Sequence, residues 1–222
     1  MSNTFHQLLQ SLDLTSLQGA LLRVAAVLLC LSVHESCHGL AAYLLGDPTA
    51  RDRNRLSLNP LRHIDWLGLA MMFVAGFGWA KPVPVNPRYF RNPKWGMALT
   101  ALAGPASNFV LAAVAVALSK AVYLFTPETV FWNGLFDFLL YSVAILSIGL
   151  GLFNLIPFPP LDGSKVAAAL LPDRLYIQWM RYERYGIAIL LAVTLLGWQG
   201  NFISVAVLRI YRFLVLLIYG VS

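Results

Sequence analysis

The 222-residue sequence is poor in charge and almost without cysteine. Only 12% of its residues are Asp, Glu, Lys or Arg, whereas 59% are hydrophobic and the mean hydropathy is +0.68. A soluble domain carries about twice that charged fraction, so the composition excludes this class and predicts an integral membrane protein. Its two cysteines, Cys30 and Cys37, lie on one predicted helix, too far apart along the axis to pair, which excludes a disulfide framework.

The basic residues lie in loops between apolar segments and form no basic face on a soluble element. The net charge of +6 therefore indicates contact with lipid head groups and predicts no nucleic-acid partner. Eight of the sixteen Lys and Arg fall within 46–95 and four within 159–185, but the turn at 126–130 has none. The positive-inside rule then predicts a multi-pass cell-membrane protein with its N-terminus outside and the basic loops in the cytoplasm.

Hydrophobic runs divide the chain into five to six segments. They are 17–45, 66–80, 97–125, 131–153, 185–198 and 202–219. Segment 66–80 is only 15 residues long and has basic flanks on both sides. As a helix it covers roughly 22 Å of a core roughly 30 Å thick, so we expect it to re-enter the membrane without crossing it. Alternation in 55–59 predicts a short strand, and the prolines of 81–87 predict extended chain.

The first hydrophobic segment contains the pattern His-Glu-Ser-Cys-His at residues 34–38. Ionisable residues at membrane depth are costly and indicate a functional site. His34 and His38 are four residues apart, so on a helix they share a face and can bind one metal ion. Glu35 lies beside them, where a carboxylate can take a proton from water.

A catalytic zinc ion usually has three protein ligands, and this helix supplies two. The candidates for the third are Asp47, Asp52, His63, Asp65, Glu128, Asp137, Asp162, Asp173 and Glu183. Asp162 follows a proline-rich run that cannot be a regular helix, and broken backbone at membrane depth must be buried in protein or line a cavity. A helix N-cap explains Asp162 equally well. His63 is the rival ligand, although its basic neighbours favour an interfacial loop histidine.

Two asparagines, Asn108 and Asn154, lie in apolar surroundings. A buried amide needs hydrogen-bond partners, and a helix-to-helix contact or a cap for backbone freed by proline satisfies that need. The functional alternative is that these amides orient a substrate backbone or stabilise an oxyanion.

Three motifs in order resemble the site-2 protease family of intramembrane zinc metalloproteases. They are VHESCHG at 33–39, GPASN at 104–108 and NLIPFPPLDG at 154–163, and the connecting stretches 58–65 and 78–87 are similar to the short bacterial members. The resemblance covers about residues 20–170. Unlike many relatives, the sequence has no PDZ or CBS domain.

The resemblance implies an all-α polytopic membrane protein with a re-entrant segment and a small membrane-associated β-sheet formed by 50–60 and 81–88. It implies one zinc ion bound by His34, His38 and Asp162, with Glu35 as the catalytic base. Asn108 and Asn154 are then expected to line the active site, as groups that bind substrate or an oxyanion.

The expected activity is hydrolysis of peptide bonds within or near the transmembrane segments of a protein or peptide substrate. A single domain, 1–222, is expected, with a catalytic core at about 17–171 and a C-terminal hydrophobic pair at 185–219. An inactive relative that binds membrane partners and a metal carrier are the two alternatives.

Overall fold

In a computed structural model of the chain, residues 17–66, 68, 81–195 and 201–220 are described. The helices among them are α1 (Leu17–Leu44), α2 (Thr49–Asp52), α3 (Pro93–Phe125), α4 (Val130–Asp137), α5 (Ala144–Asn154), α6 (Asp162–Ala169), α7 (Asp173–Leu195) and α8 (Asn201–Tyr219). A π-helical stretch, Phe138–Val143, joins α4 to α5 without a break. Short 3-10 turns are formed by Pro60–Arg62 and Pro87–Tyr89.

Four of the described helical segments are long and apolar enough to cross a membrane. They are Leu21–Leu44, Pro93–Phe125, Val130–Asn154 and Phe202–Tyr219. They correspond to four of the segments predicted from hydropathy, and the chain is a membrane protein. The expected re-entrant segment 66–80 lies outside the described residues except for residues 66 and 68.

The predicted β-sheet is wrong. Residues 50–60 and 81–88 are all described and contain no strand. The backbone hydrogen bond near them, from Lys81 N–H to the His63 carbonyl, begins outside 50–60. Three prolines at 82, 84 and 87 remove backbone donors that a ladder needs. The N–H groups of Val83 and Asn86 donate to the carboxylates of Glu35 and Asp47. Side chains therefore take the hydrogen bonds that a neighbouring strand would have made.

Helix α3 begins four residues before the apolar run that predicted it. The side chain of Asn92 accepts a hydrogen bond from Trp95 N–H, and Pro93 occupies the first helical position. Both residues favour a helix start, because the amide caps a free N–H and proline has none to lose. The helix is therefore continuous from the loop into the membrane.

Helix α3 is the centre of the fold and packs against α1, α5, α6 and α8. Small side chains at these contacts let helix backbones approach closely, as is common between membrane helices. The buried apolar cluster consists of Ala26, Cys30, Ala112, Ala115, Val116, Leu140, Val143, Ala144, Ile148, Val207 and Tyr211. The cluster therefore joins α1, α3, α5 and α8.

Asp47, just after α1, is fully buried and organises the extended segment 81–87. Its Oδ1 accepts the N–H and the hydroxyl of Thr49, and its Oδ2 accepts Asn86 N–H at 2.6 Å. A buried carboxylate is stable only when such donors surround it. This residue therefore ties the segment to the end of the helix that carries His34 and His38.

Replacing Asp47 with Ala should destabilise the protein by about 1–3 kcal/mol, because three donors lose their acceptor in a buried position. Asp52→Ala is the matched control, since that side chain is 59% exposed and pairs with Arg51 at the surface. It should change stability by less than about 0.5 kcal/mol. Thermal unfolding in one detergent measures both, and equal melting temperatures for the two variants would contradict this role of Asp47.

Candidate active site

His34 and His38 lie on one face of α1 and point toward α3. Their side chains are nearly buried, and their rings meet edge to face with centroids 4.6 Å apart. The helix is long and apolar, so the four-residue spacing brings the two imidazoles together as the sequence predicts.

Helix α3 supplies one hydrogen-bond partner for each ring. Nδ1 of His38 donates to the Thr100 carbonyl at 2.7 Å, and Nδ1 of His34 lies 3.3 Å from the side-chain amide nitrogen of Asn108. Residue 34 pairs with the later position and residue 38 with the earlier one, so α1 and α3 run antiparallel here. Each Nε2 is left facing the space between the helices.

Gly104 lies midway along α3 between Thr100 and Asn108, and its lack of a side chain leaves space for the two imidazole rings. A Cβ atom at this position would lie 2.4 Å from Cε1 of His38 and 2.7 Å from Cε1 of His34. No side chain fits at such distances, so the imidazoles pack directly on the backbone of α3.

Asp162 is the first residue of α6, directly after the proline-rich run. Its Oδ2 lies 3.1 Å from Nε2 of His34 and 3.2 Å from Nε2 of His38. The N-cap position belongs to Leu161, so the carboxylate of Asp162 turns toward the histidines and does not cap the helix. The next residue, Gly163, packs so closely on the Leu155 carbonyl that a Cβ would lie 2.2 Å from its oxygen.

The three side chains have the chemistry of a zinc site. One nitrogen from each histidine and one oxygen from Asp162 lie within 4.8 Å of one another. Because the Thr100 carbonyl holds the proton of His38 on Nδ1, Nε2 of the neutral ring presents a lone pair to the carboxylate oxygen. Two facing acceptors repel unless a cation lies between them, and two imidazoles plus a carboxylate form a known catalytic zinc set.

The carboxyl of Asp162 is held in the anionic form that a metal ligand needs. Burial raises its pKa, but the neighbouring imidazoles of His34 and His38 outweigh that effect and hold the pKa below its ordinary value. The residues therefore fit zinc in both geometry and charge.

Glu35 lies beside this cluster on the wall of a cavity of about 420 Å³. Its Oε2 accepts a hydrogen bond from Val83 N–H at 2.9 Å. The cavity is also lined by the two histidines and Asp162, by Asn154, and by residues of the extended segment 81–87. A carboxylate, a potential metal site and a space for a ligand therefore meet at one place.

The two asparagines have different surroundings. Asn108 is fully buried against His34 and is not among the cavity-lining residues. Asn154 does line the cavity, and its amide donates to the Leu150 carbonyl at 3.0 Å, one turn earlier in α5.

The remaining third-ligand candidates are not part of the His34, His38 and Asp162 cluster found among the described residues. The rival, His63, is buried with its Nε2 2.6 Å from the Ser57 carbonyl. Glu183 of α7 lines the cavity but pairs with Lys165 of α6 at 3.6 Å.

Sequence reasoning missed the Thr100 carbonyl and the Lys165–Glu183 pair. A backbone carbonyl has no residue signature, so only the position of Thr100, four residues before Gly104, points to it. Lys165 follows Asp162 by three residues on α6, and that helical spacing is the one sequence feature that places its side chain near the site.

Comparison with known proteins agrees with this geometry. Residues 118–197 match the sequence model of peptidase family M50. The chain is 39% identical over 179 residues to "Putative zinc metalloprotease YwhC" of Bacillus subtilis, a match covering 78% of this chain and 81% of that protein. It is 31% identical over 191 residues to "Putative zinc metalloprotease Rip2" of Mycobacterium tuberculosis strain Erdman, covering 79% and 68% of the two chains. No solved structure matches.

The chain belongs to peptidase family M50. The family model alone covers only residues 118–197, which include Asp162 but not the two histidines. The identity to the Bacillus protein extends over most of both chains, and it therefore decides the assignment. The resemblance to site-2 proteases is thereby confirmed. The predictions that the protein is an intramembrane zinc metalloprotease and that zinc is its cofactor are also confirmed.

Replacing Gly104 with Ala should abolish stable zinc binding, because the new Cβ overlaps both imidazole rings. Gly149→Ala is the matched control, since the nearest atom to its Cβ among the described residues would be Val207 Cγ2 at 4.0 Å. Zinc per purified protein chain, measured by atomic emission, should fall at least about tenfold for the first variant and stay at the wild-type level for the second. Full zinc content in Gly104→Ala would show that the rings do not need this contact.

Proposed function

We propose that this M50 enzyme hydrolyses peptide bonds within or near transmembrane segments of membrane proteins, with Glu35 as catalytic base. His34, His38 and Asp162 are its proposed zinc ligands. The observation that carries the proposal is the cluster of three ligand atoms within 4.8 Å, next to Glu35 on the wall of one cavity.

The chain's residues divide the work of hydrolysis among them. When bound, zinc supplies a Lewis acid that polarises a carbonyl and makes water a stronger nucleophile. Oε1 of Glu35 takes the proton of the attacking water and returns it to the leaving amide nitrogen, since Oε2 is occupied by Val83 N–H. That hydrogen bond also fixes the direction of the carboxylate.

The walls of the cavity indicate the form of the substrate. A peptide bond in a regular helix has its carbonyl hydrogen-bonded and its backbone covered by side chains, so a transmembrane helix must unwind before it can react. Asn154, Val83 and Val85 line the cavity beside the proposed metal ligands. We propose that these groups bind the unwound stretch, and that Asn154 contacts its backbone.

Glu35→Gln should abolish peptide cleavage while one zinc ion per chain is retained. The amide oxygen of Gln can still accept the Val83 N–H, so the fold persists, but the side chain is no longer a base. Cleavage of a panel of fluorophore-labelled transmembrane peptides in liposomes, together with zinc content, measures the outcome.

Glu128→Gln is the matched control, because this exposed residue lies in the loop at the far end of α3. It should cleave the panel at the wild-type rate. Undiminished cleavage by Glu35→Gln would exclude Glu35 as the base.

We further propose the orientation of this enzyme in the cell membrane. The basic loops 46–66 and 81–95, the second of which contains the extended segment, face the cytoplasm. The N-terminus is then outside, as the charge distribution favours. From His38 to the end of α1 is about 9 Å along the helix, so the site lies nearer the cytoplasmic surface.

Single-cysteine variants test the orientation in a background with Cys30→Ala and Cys37→Ala. Glu128→Cys should react with an impermeant maleimide in intact cells, whereas Arg53→Cys should react only after permeabilisation, since both positions are exposed and lie in opposite loops. The reverse labelling pattern would invert the topology.

A further inference from the structure

The two histidines of the site have second hydrogen-bond partners of different kinds. The partner of His38 is a backbone carbonyl, which can only accept, so the proton of that ring is confined to Nδ1. The partner of His34 is a side-chain amide, which can donate through nitrogen or accept through oxygen. One ring is therefore fixed in its tautomer, and the other has a partner that suits either.

In the arrangement seen here, the nitrogen of the Asn108 amide faces Nδ1 of His34. Nδ1 then accepts, and Nε2 carries the proton that it donates to Asp162 at 3.1 Å. The amide oxygen of Asn108 is buried and has no hydrogen-bond partner among the described residues. A fully buried carbonyl-type oxygen without a partner costs free energy. This oxygen is therefore available to accept a hydrogen bond from the neighbouring ring.

A metal bound through Nε2 of His34 requires the opposite tautomer, with the proton on Nδ1. That proton needs an acceptor. Rotation of the Asn108 amide by half a turn puts its oxygen in the place of its nitrogen, and the two ends have nearly the same shape. The surrounding packing can therefore stay unchanged.

We propose that Asn108 is a positioning residue that sets the tautomer of His34 for zinc binding. This inference rests on the proposed ligand role of His34. It replaces contact with substrate as the role of Asn108, because the side chain is fully buried, touches the ring and does not line the cavity. Its amide oxygen accepts a hydrogen bond from Nδ1–H when Nε2 is free to bind metal, and its amide nitrogen donates one to Nδ1 when Nε2 is protonated.

Zinc titration of the purified full-length protein with two variants tests this role. Asn108→Asp keeps an oxygen acceptor in every rotamer, and it should bind zinc as tightly as the wild type or more tightly. Asn108→Leu keeps the volume but has no acceptor, and it should bind about 10–100-fold more weakly.

Ser147→Ala is the control for packing, because this hydroxyl donates to the backbone carbonyl of the same Asn108 at 3.0 Å. It should leave zinc affinity unchanged. Equal weakening in Asn108→Asp and Asn108→Leu, or wild-type affinity in Asn108→Leu, would overturn the inference. If Asn108→Leu does not fold, weaker binding by Asn108→Asp than by the wild type overturns it alone.

A tautomer measurement separates this inference from the function on which it rests. The chain has four histidines, so ¹⁵N-histidine labelling gives few signals to assign. Zinc should move the His34 proton from Nε2 to Nδ1 in the wild type, whereas Asn108→Asp should hold it on Nδ1 throughout. A wild type that binds no zinc contradicts the proposed function itself; zinc binding that leaves His34 protonated on Nε2 contradicts only the role of Asn108.

Discussion

Two imidazole rings rest on the backbone of α3 where Gly104 leaves room for them, and the rest of the site depends on this contact. It sets the distance between α1 and α3, and it brings the Thr100 carbonyl and the Asn108 amide within reach of the two Nδ1 atoms. Without it, helix α3 would stand farther from α1 and neither ring would have a fixed direction. The buried apolar cluster, farther along the two helices, holds the same helix pair together.

The third group comes from a break in the helical fold. The proline-rich run after α5 cannot be helical, so the chain turns and starts α6 at Asp162, and Gly163 lets this start lie against the Leu155 and Ile156 carbonyls. Gly186 of α7 packs on the Pro159 carbonyl in the same way. Glycine contacts therefore fix the irregular backbone from two sides, which is how a carboxylate can be held at a buried position.

The motif helix, the membrane class and Asp162 as a candidate were accessible from sequence because helical spacing and hydropathy are local properties. The choice of Asp162 over His63 as the proposed third ligand required the three-dimensional structure or the family resemblance, since both residues follow irregular stretches of the sequence. The sheet that the resemblance implied is wrong, and so is the strand predicted from alternation in 55–59, because alternation and extended chain describe the shape of a backbone and not its hydrogen-bond partners. In the structure, the carboxylates of Glu35 and Asp47, which are far from 81–87 in the sequence, accept hydrogen bonds from two backbone N–H groups of that segment.

Those two carboxylates link the extended segment to the chemistry. Asp47 binds its end at Asn86, and Glu35 binds it at Val83, so the segment crosses the cavity wall with the proposed base as one of its two anchors. Only one oxygen of Glu35 is used, which leaves the other for a water proton. Displacement of Val83 would free both oxygens and let the carboxylate turn, so correct placement of the base requires this segment to stay in position while substrate is bound.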